Sequence, residues 1–198
     1  MSQRILFRCG VVIAIVALAG LVGWPTAAGA QTATGHARAV QTTVLGSTTI
    51  LSDTGALTGG DDARQASQVT GAVPSVLTAE ALHATTIGWP DQAASEASLA
   101  GLAVTVAGNG ITAGFVMART AAILGGAGAG DTTIDALSIN GAPVTVTGQP
   151  NQTIPLLGGR VVINEQQPLF PSGMTVNALH IVIDGVADVV VASATAGI

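Results

Sequence analysis

From about His36 to Ala196, apolar and polar side chains alternate with a period of two, and β-branched residues dominate. No long stretch carries the 3.6-residue period of an amphipathic helix, so the pattern predicts strands. Two-residue turn signals divide the alternating segments at Asn109-Gly110, Asn140-Gly141, Gly158-Gly159 and Asp184-Gly185. Such pairs readily supply the positive φ that tight hairpins require. With Asn109-Gly110 as a loop, Val106 opposes Ala113, Val104 opposes Phe115 and Leu102 opposes Met117. All six then share one face, with Ala103, Thr105, Thr112 and Gly114 on the other, as a sheet packed on a core requires. A two-residue loop at Asp184-Gly185 would set Ile181 against Asp188. A three-residue loop, Asp184-Gly185-Val186, instead pairs Ile183 with Ala187, Ile181 with Val189 and Leu179 with Val191, so a longer, bulged turn is expected.

At Gly158-Gly159 the expected partners are Leu156 with Val161 and Ile154 with Ile163. Pro143 and Pro155 cannot donate to a ladder, which places an edge or irregularity beside each. Arg38–Leu45 and Ser47–Leu51 read as strands around Gly46, and the Gly- and Asp-rich stretch Thr54–Gln68 as a mobile loop. Val73–Gly88 and Ser98–Ala107 resume the alternation. About ten strands in mostly antiparallel order predict an all-β sandwich, with a closed β-barrel as the alternative. Leu99–Val106 loosely echoes Val176–Ile183, each followed by a Gly turn and another strand. Two such copies are too few for a solenoid.

The first 30 residues break this pattern. Met1 to Arg8 carries Arg4 and Arg8 and no acid, and Cys9 to Trp24 is an unbroken run without a polar or charged side chain. The run is shorter than a membrane span of ~20 residues. Pro25 ends it, and Ala28-Gly29-Ala30 supplies small residues at the positions a signal peptidase reads. Residues 1–30 therefore read as an N-terminal signal helix, cut between Ala30 and Gln31, and residues 31–198 as a single all-β domain. An uncleaved anchor is the alternative, and this segment is then the expected route to the membrane. No arginine pair precedes the run, which favours the general secretion pathway and a secreted or cell-envelope product.

Beyond residue 30, Arg38, Arg64, Arg119 and Arg160 face eleven acids with no lysine, a net charge of −7. A surface without a basic stripe disfavours nucleic acid and anionic membranes as partners. Cys9 is the only cysteine, so the domain has no disulfide, thiolate nucleophile or cysteine metal ligand and must rest on its core. That core is expected to hold Trp89, Phe115 and Phe170 among Ala, Val, Gly and Thr. So few aromatics offer few platforms for stacking sugars or bases.

Candidate chemistry is sparse. Asp53-Thr54-Gly55 spells the aspartic-protease triplet after the apolar strand Thr48–Leu51, and Ile123-Leu124-Gly125 matches the element that braces such a loop. A single-lobed enzyme would dimerise so that two copies of Asp53 share one proton. The competing reading is an Asx-type turn. His83 and His180 lie in predicted strands and could hold zinc with an acid, but neither they nor His36 form H-x-H or H-x-x-x-H spacing. A histidine hydrogen-bonded within the domain is the preferred reading. Asp61-Asp62, or Asp184 with Asp188, are candidate calcium oxygens that otherwise read as solvated turn acids. No G-x-S-x-G elbow or phosphate loop is present, and no cofactor is implied.

Several segments together resemble the "choice-of-anchor P" family of bacterial exported proteins. They are Asn140–Val146, Gly148–Thr153, Val162–Gln166, Thr175–His180 and Ala187–Ala194, with Leu51–Gly55 and Gly110–Ala113 upstream. The resemblance implies export and surface retention by varied C-terminal anchors, with no known catalysis or ligand. Here Gly197-Ile198 follows the last predicted strand without a sorting motif, so release or non-covalent retention is expected. The expectation is an exported, non-enzymatic structural or interaction domain with an unknown envelope or extracellular partner and a tendency to self-associate. The alternatives are a secreted hydrolase using Asp53 and a calcium-stabilised adhesive domain.

Overall fold

The computed structural model describes residues 32–198, so the expected signal helix and the expected cleavage positions Ala28, Ala30 and Gln31 lie outside the described residues. Turn chemistry sets the strand ends. Leu45-Gly46, Ala107-Gly108 and Asn140-Gly141 each place two successive residues at positive φ, the form that matches strand twist in a two-residue hairpin. The strands are β1 Thr34–Val44, β2 Ser47–Asp53, β3 Ala63–Val73, β4 Leu77–Gly88, β5 Gln92–Val106, β6 Asn109–Ile123 and β7 Ala129–Asp135. They continue with β8 Ser138–Ile139, β9 Ala142–Pro143, β10 Gln152–Leu156, β11 Gly159–Pro168, β12 Gly173–Ile183 and β13 Ala187–Gly197.

These form two antiparallel sheets of a β-sandwich. The first runs β10-β11-β12-β13-β1-β2 and the second β3-β4-β5-β6-β8-β9, with β7 also on β6. Consecutive strands neighbour one another as in an up-and-down barrel, but no ladder joins β2 to β3 or β9 to β10. Those two open seams make the molecule a sandwich rather than the closed barrel held as the alternative. Pro143 and Pro155 lie in the edge strands β9 and β10, where a missing N–H costs no ladder bond.

The three-residue loop at Asp184 is present, with Ile183 opposite Ala187, Ile181 opposite Val189 and Leu179 opposite Val191. Two other registers differ from expectation. The β5–β6 turn is Ala107-Gly108, so Val106 pairs with Asn109, Val104 with Ile111 and Leu102 with Ala113. Asn109 is buried instead of turning the chain, and its Nδ2 donates to the Leu157 carbonyl at 3.1 Å. The β10–β11 turn falls one residue early, at Leu157-Gly158, pairing Leu156 with Gly159 and Ile154 with Val161. The loop expected over Thr54–Gln68 also ends sooner, because Ala63 to Gln68 belong to the edge strand β3.

A line of left-handed residues crosses each sheet. In the first sheet it passes through Ser52, Ala192 and Asn164, and in the second through Ala81 and Gly101. Core-facing positions change parity there: Val189 and Val191 point inward before it on β13, Ala194 and Ala196 after it. The core consequently has two halves. One is filled by Leu, Ile and Val, including Leu102, Val104, Ile111, Ile163, Leu179 and Ile181. The other uses Ala37, Ala84, Ala97, Ala118, Ala178 and Ala194, and ends in Ala33, Ala93, Ala122 and Ala196. In this small-residue half a buried chain of bonds joins the sheets, with Thr86 Oγ1 2.7 Å from Ser95 Oγ, which donates to the Thr195 carbonyl at 2.6 Å.

The aromatic side chains of the described residues are not in the core. Phe170 is 99% exposed, Trp89 is on the surface and Phe115 is half-buried on the outer face of the second sheet. Aliphatic strand residues fill the interior, while Trp89 and Phe170 fall just beyond strand ends.

Candidate functional site

A polar cluster centred on His180 lies on the outer face of the first sheet. On β12, Leu179 and Ile181 face the core, so His180 between them faces outward. Registers place His180 opposite Val162 on β11 and Val190 on β13, one step from the carboxylates of both neighbours. Its Nδ1 lies 3.0 Å from Glu165 Oε2 and its Nε2 3.2 Å from Asp188 Oδ2. Asn177 Nδ2 donates to the same Glu165 oxygen at 2.6 Å. Burial of Glu165 opposes its charge, yet the bonds from Asn177 and His180 outweigh it and hold the carboxyl below its ordinary range. Both ring nitrogens of His180 are thereby engaged, one by each flanking strand, which makes the residue a clamp across β11, β12 and β13.

Asp53 ends β2 on the same sheet. Its Oδ1 lies 2.5 Å from His36 Nε2 and accepts the Gly55 N–H at 2.7 Å. Partial burial disfavours its charge, but the Gly55 N–H, His36 and then Arg38 prevail and lower its pKa. The Thr54 hydroxyl donates to the Gly55 carbonyl at 2.8 Å within the turn and accepts the Ala37 N–H of β1 at 3.0 Å. Asp53-Thr54-Gly55 is thus an Asx-type turn that fastens β2 to β1. The Ile123-Leu124-Gly125 element ends β6 in the other sheet, so the fold does not bring the expected brace to Asp53.

The remaining candidates are dispersed. His83 lies on β4 in the second sheet, so it and His180 are not brought together. Asp62 Oδ2 receives the Thr58 N–H and hydroxyl, both at 2.9 Å, and Arg64 Nε at 3.0 Å. Those donors, Thr58 first, lower its pKa to about 2. Asp184 lies in the β12–β13 turn while Asp188 engages His180, so the two acids do not converge on one point. Among the described residues no three His, Cys, Asp or Glu side chains are grouped as a metal site.

An open groove of about 610 Å³ lies on the second sheet, lined by Ala94, Ala121 and Ala129 with Thr85, Glu96, Arg119 and Asp131. Arg119 Nη2 meets Asp131 Oδ2 at 2.9 Å, and that carboxylate raises the Arg119 pKa. Sequence reasoning missed Glu165, Asn177 and this Arg119–Asp131 pair. The one available signal was strand register, since each residue stands directly or diagonally opposite its partner. Comparison with protein families, curated proteins and solved structures returns no match.

Proposed function

We propose that this chain is an exported, non-enzymatic interaction domain of the cell envelope or extracellular space, akin to the choice-of-anchor P proteins it resembles. The carrying observation is the use of its polar side chains. Both nitrogens of His180 and the Oδ1 atom of Asp53 bond neighbouring strands, so these groups fasten the sheet and present a fixed outer surface. The basic head, apolar run and Ala28-Gly29-Ala30 support export, and the lysine-free, acidic composition supports a partner other than nucleic acid.

Fractionating the native host and taking the intact mass from each fraction tests the reading. A species beginning at Gln31 in the medium or envelope is expected. A chain that keeps Met1 and stays in the cytosol overturns it. Proteolysis at acid pH that Asp53→Asn abolishes would replace it with the hydrolase alternative.

A further inference from the structure

We infer that the open edge of β2 pairs with β2 of a second copy, which deepens the interaction reading above by naming that partner. Hydrogen-bond geometry fixes what the edge offers. Leu45-Gly46 closes a two-residue hairpin, so Val44 and Ser47 form its narrow hydrogen-bonded pair. Alternation along the ladder then turns the N–H and C=O groups of Thr48 and Ile50 away from β1, toward the open edge of the sheet. Both side chains are exposed, Ile50 by 42%.

Charge and register identify the occupant. The other outermost strands carry devices that keep strands off: Pro143 on β9, Pro155 on β10, Asp131 and Asp135 on β7, and on β3 the skipped pair Val69–Ala81. From Ser47 to Leu51, β2 has neither proline nor charge. A domain of net charge −7 meets its own kind best where no acid intervenes, and Asp53, the acid of β2, is engaged by His36. An antiparallel pair about a two-fold axis at Thr49 sets Thr48 opposite Ile50 of the second copy and Ile50 opposite its Thr48. Every edge N–H and C=O of these residues is then satisfied on both chains, and the two Asp53 side chains fall at opposite ends of the ladder. A register centred on Ile50 would instead recruit Ser52, whose left-handed backbone breaks the strand. Ser52 Oγ donates to Gln68 Oε1 of β3 at 3.2 Å, so β3 borders the same side and extends the contact. So short a ladder makes a concentration-dependent dimer rather than an obligate one.

Residues 31–198 form one compact unit with their own core, so the test uses that domain. Analytical ultracentrifugation over a wide concentration range is expected to show a reversible monomer–dimer equilibrium at neutral pH. Ile50→Lys sets like charges across the two-fold axis and should raise the dissociation constant about tenfold or more. Thr48→Pro removes an edge N–H that β1 does not use, and should abolish the dimer. Leu157→Lys, at an exposed turn on the far edge of the same sheet, should leave it unchanged. The domain has no cysteine, so Thr49→Cys, on the axis, should form a disulfide-linked dimer under mild oxidation. Ser47→Cys, displaced from the axis, should not. This cysteine pair reads the same contact where a β2 variant fails to fold.

A domain that stays monomeric at every concentration overturns the inference, including where a foreign strand takes the edge. So does a dimer that survives both β2 substitutions, one that Leu157→Lys disrupts equally, or one that cross-links as well through Ser47→Cys as through Thr49→Cys. Failure of export in the host overturns the parent reading separately, since the dimer measurement does not depend on it.

Discussion

Ser52 and Ala192 flank β1 at one level of the first sheet, each in the left-handed region, with φ of 50° and 52°. Between them Ala39 is skipped in both ladders, which pair Arg38 and Val40 with Asp53 and Leu51 on one side and with Ser193 and Val191 on the other. The irregularity is thus shared by adjacent strands rather than confined to one, and it lets both halves of the sheet face the same core.

Substitutions along this line should have opposite signs according to burial. Ala192 is fully buried, and Ala192→Val adds volume and a β-branched side chain to a left-handed backbone. A loss of about 2 kcal/mol or more in urea unfolding is expected. Ala81 is left-handed but exposed, and Ala81→Gly should raise stability by about 1 kcal/mol.

The tight packing of the small-residue half makes a second prediction. A Cβ on Gly35 would meet Thr86 Oγ1 and lie 2.7 Å from Leu57 Cδ1. Gly35→Ala is expected to cost about 1–3 kcal/mol, read as a lower unfolding midpoint at unchanged denaturant slope.

Removing the centre of the His180 clamp leaves donors without an acceptor. Glu165→Ala strands Asn177 Nδ2 and one His180 nitrogen, and a loss of about 1–3 kcal/mol follows from unpaired polar groups. Glu165→Gln keeps an acceptor for Asn177 and should recover part of that loss, measured by thermal unfolding at neutral pH.

Acid should weaken the fold through Glu165, Asp53 and Asp62. Each has a folded-state pKa below its ordinary value, so the unfolded chain binds more protons as pH falls. Their contribution is complete above the ordinary Glu value of 4.5 and is lost as pH falls through the lowered values, to about 2 for Asp62. Asp62→Asn should flatten the lowest part of that profile, measured as unfolding midpoint against pH.

How much of this was legible in the sequence depends on what each segment must bury. The β12–β13 register was readable because the wrong loop length puts Asp188 against Ile181, and only one choice separates acid from core. The β5–β6 register was not, because moving every partner by four residues, from Ala113 to Asn109 opposite Val106, keeps Leu102, Val104, Val106 and Ala113 facing inward. Hydrophobicity cannot tell those registers apart, and Ala107-Gly108 won the turn over Asn109-Gly110. β3 escaped notice because Gln65, Ser67, Gln68, Val69 and Thr70 are all exposed on an edge strand, leaving little alternation to read. The His180 clamp needs three strands in register and a left-handed Asn164 just before Glu165, none of which is local in the chain.

The place of β1 between β13 and β2 also orders events in time. Thr34 pairs with Gly197, so the opening strand of the domain completes its ladder only against the closing one. A chain made from its N-terminus delivers β1 early and β13 last. Local hairpins can form as they emerge, but the first sheet stays divided until the final strand arrives. Such long-range closure is the slow class of folding event. For that interval β1 offers an unpaired edge to any strand, or any chaperone, that reaches it first.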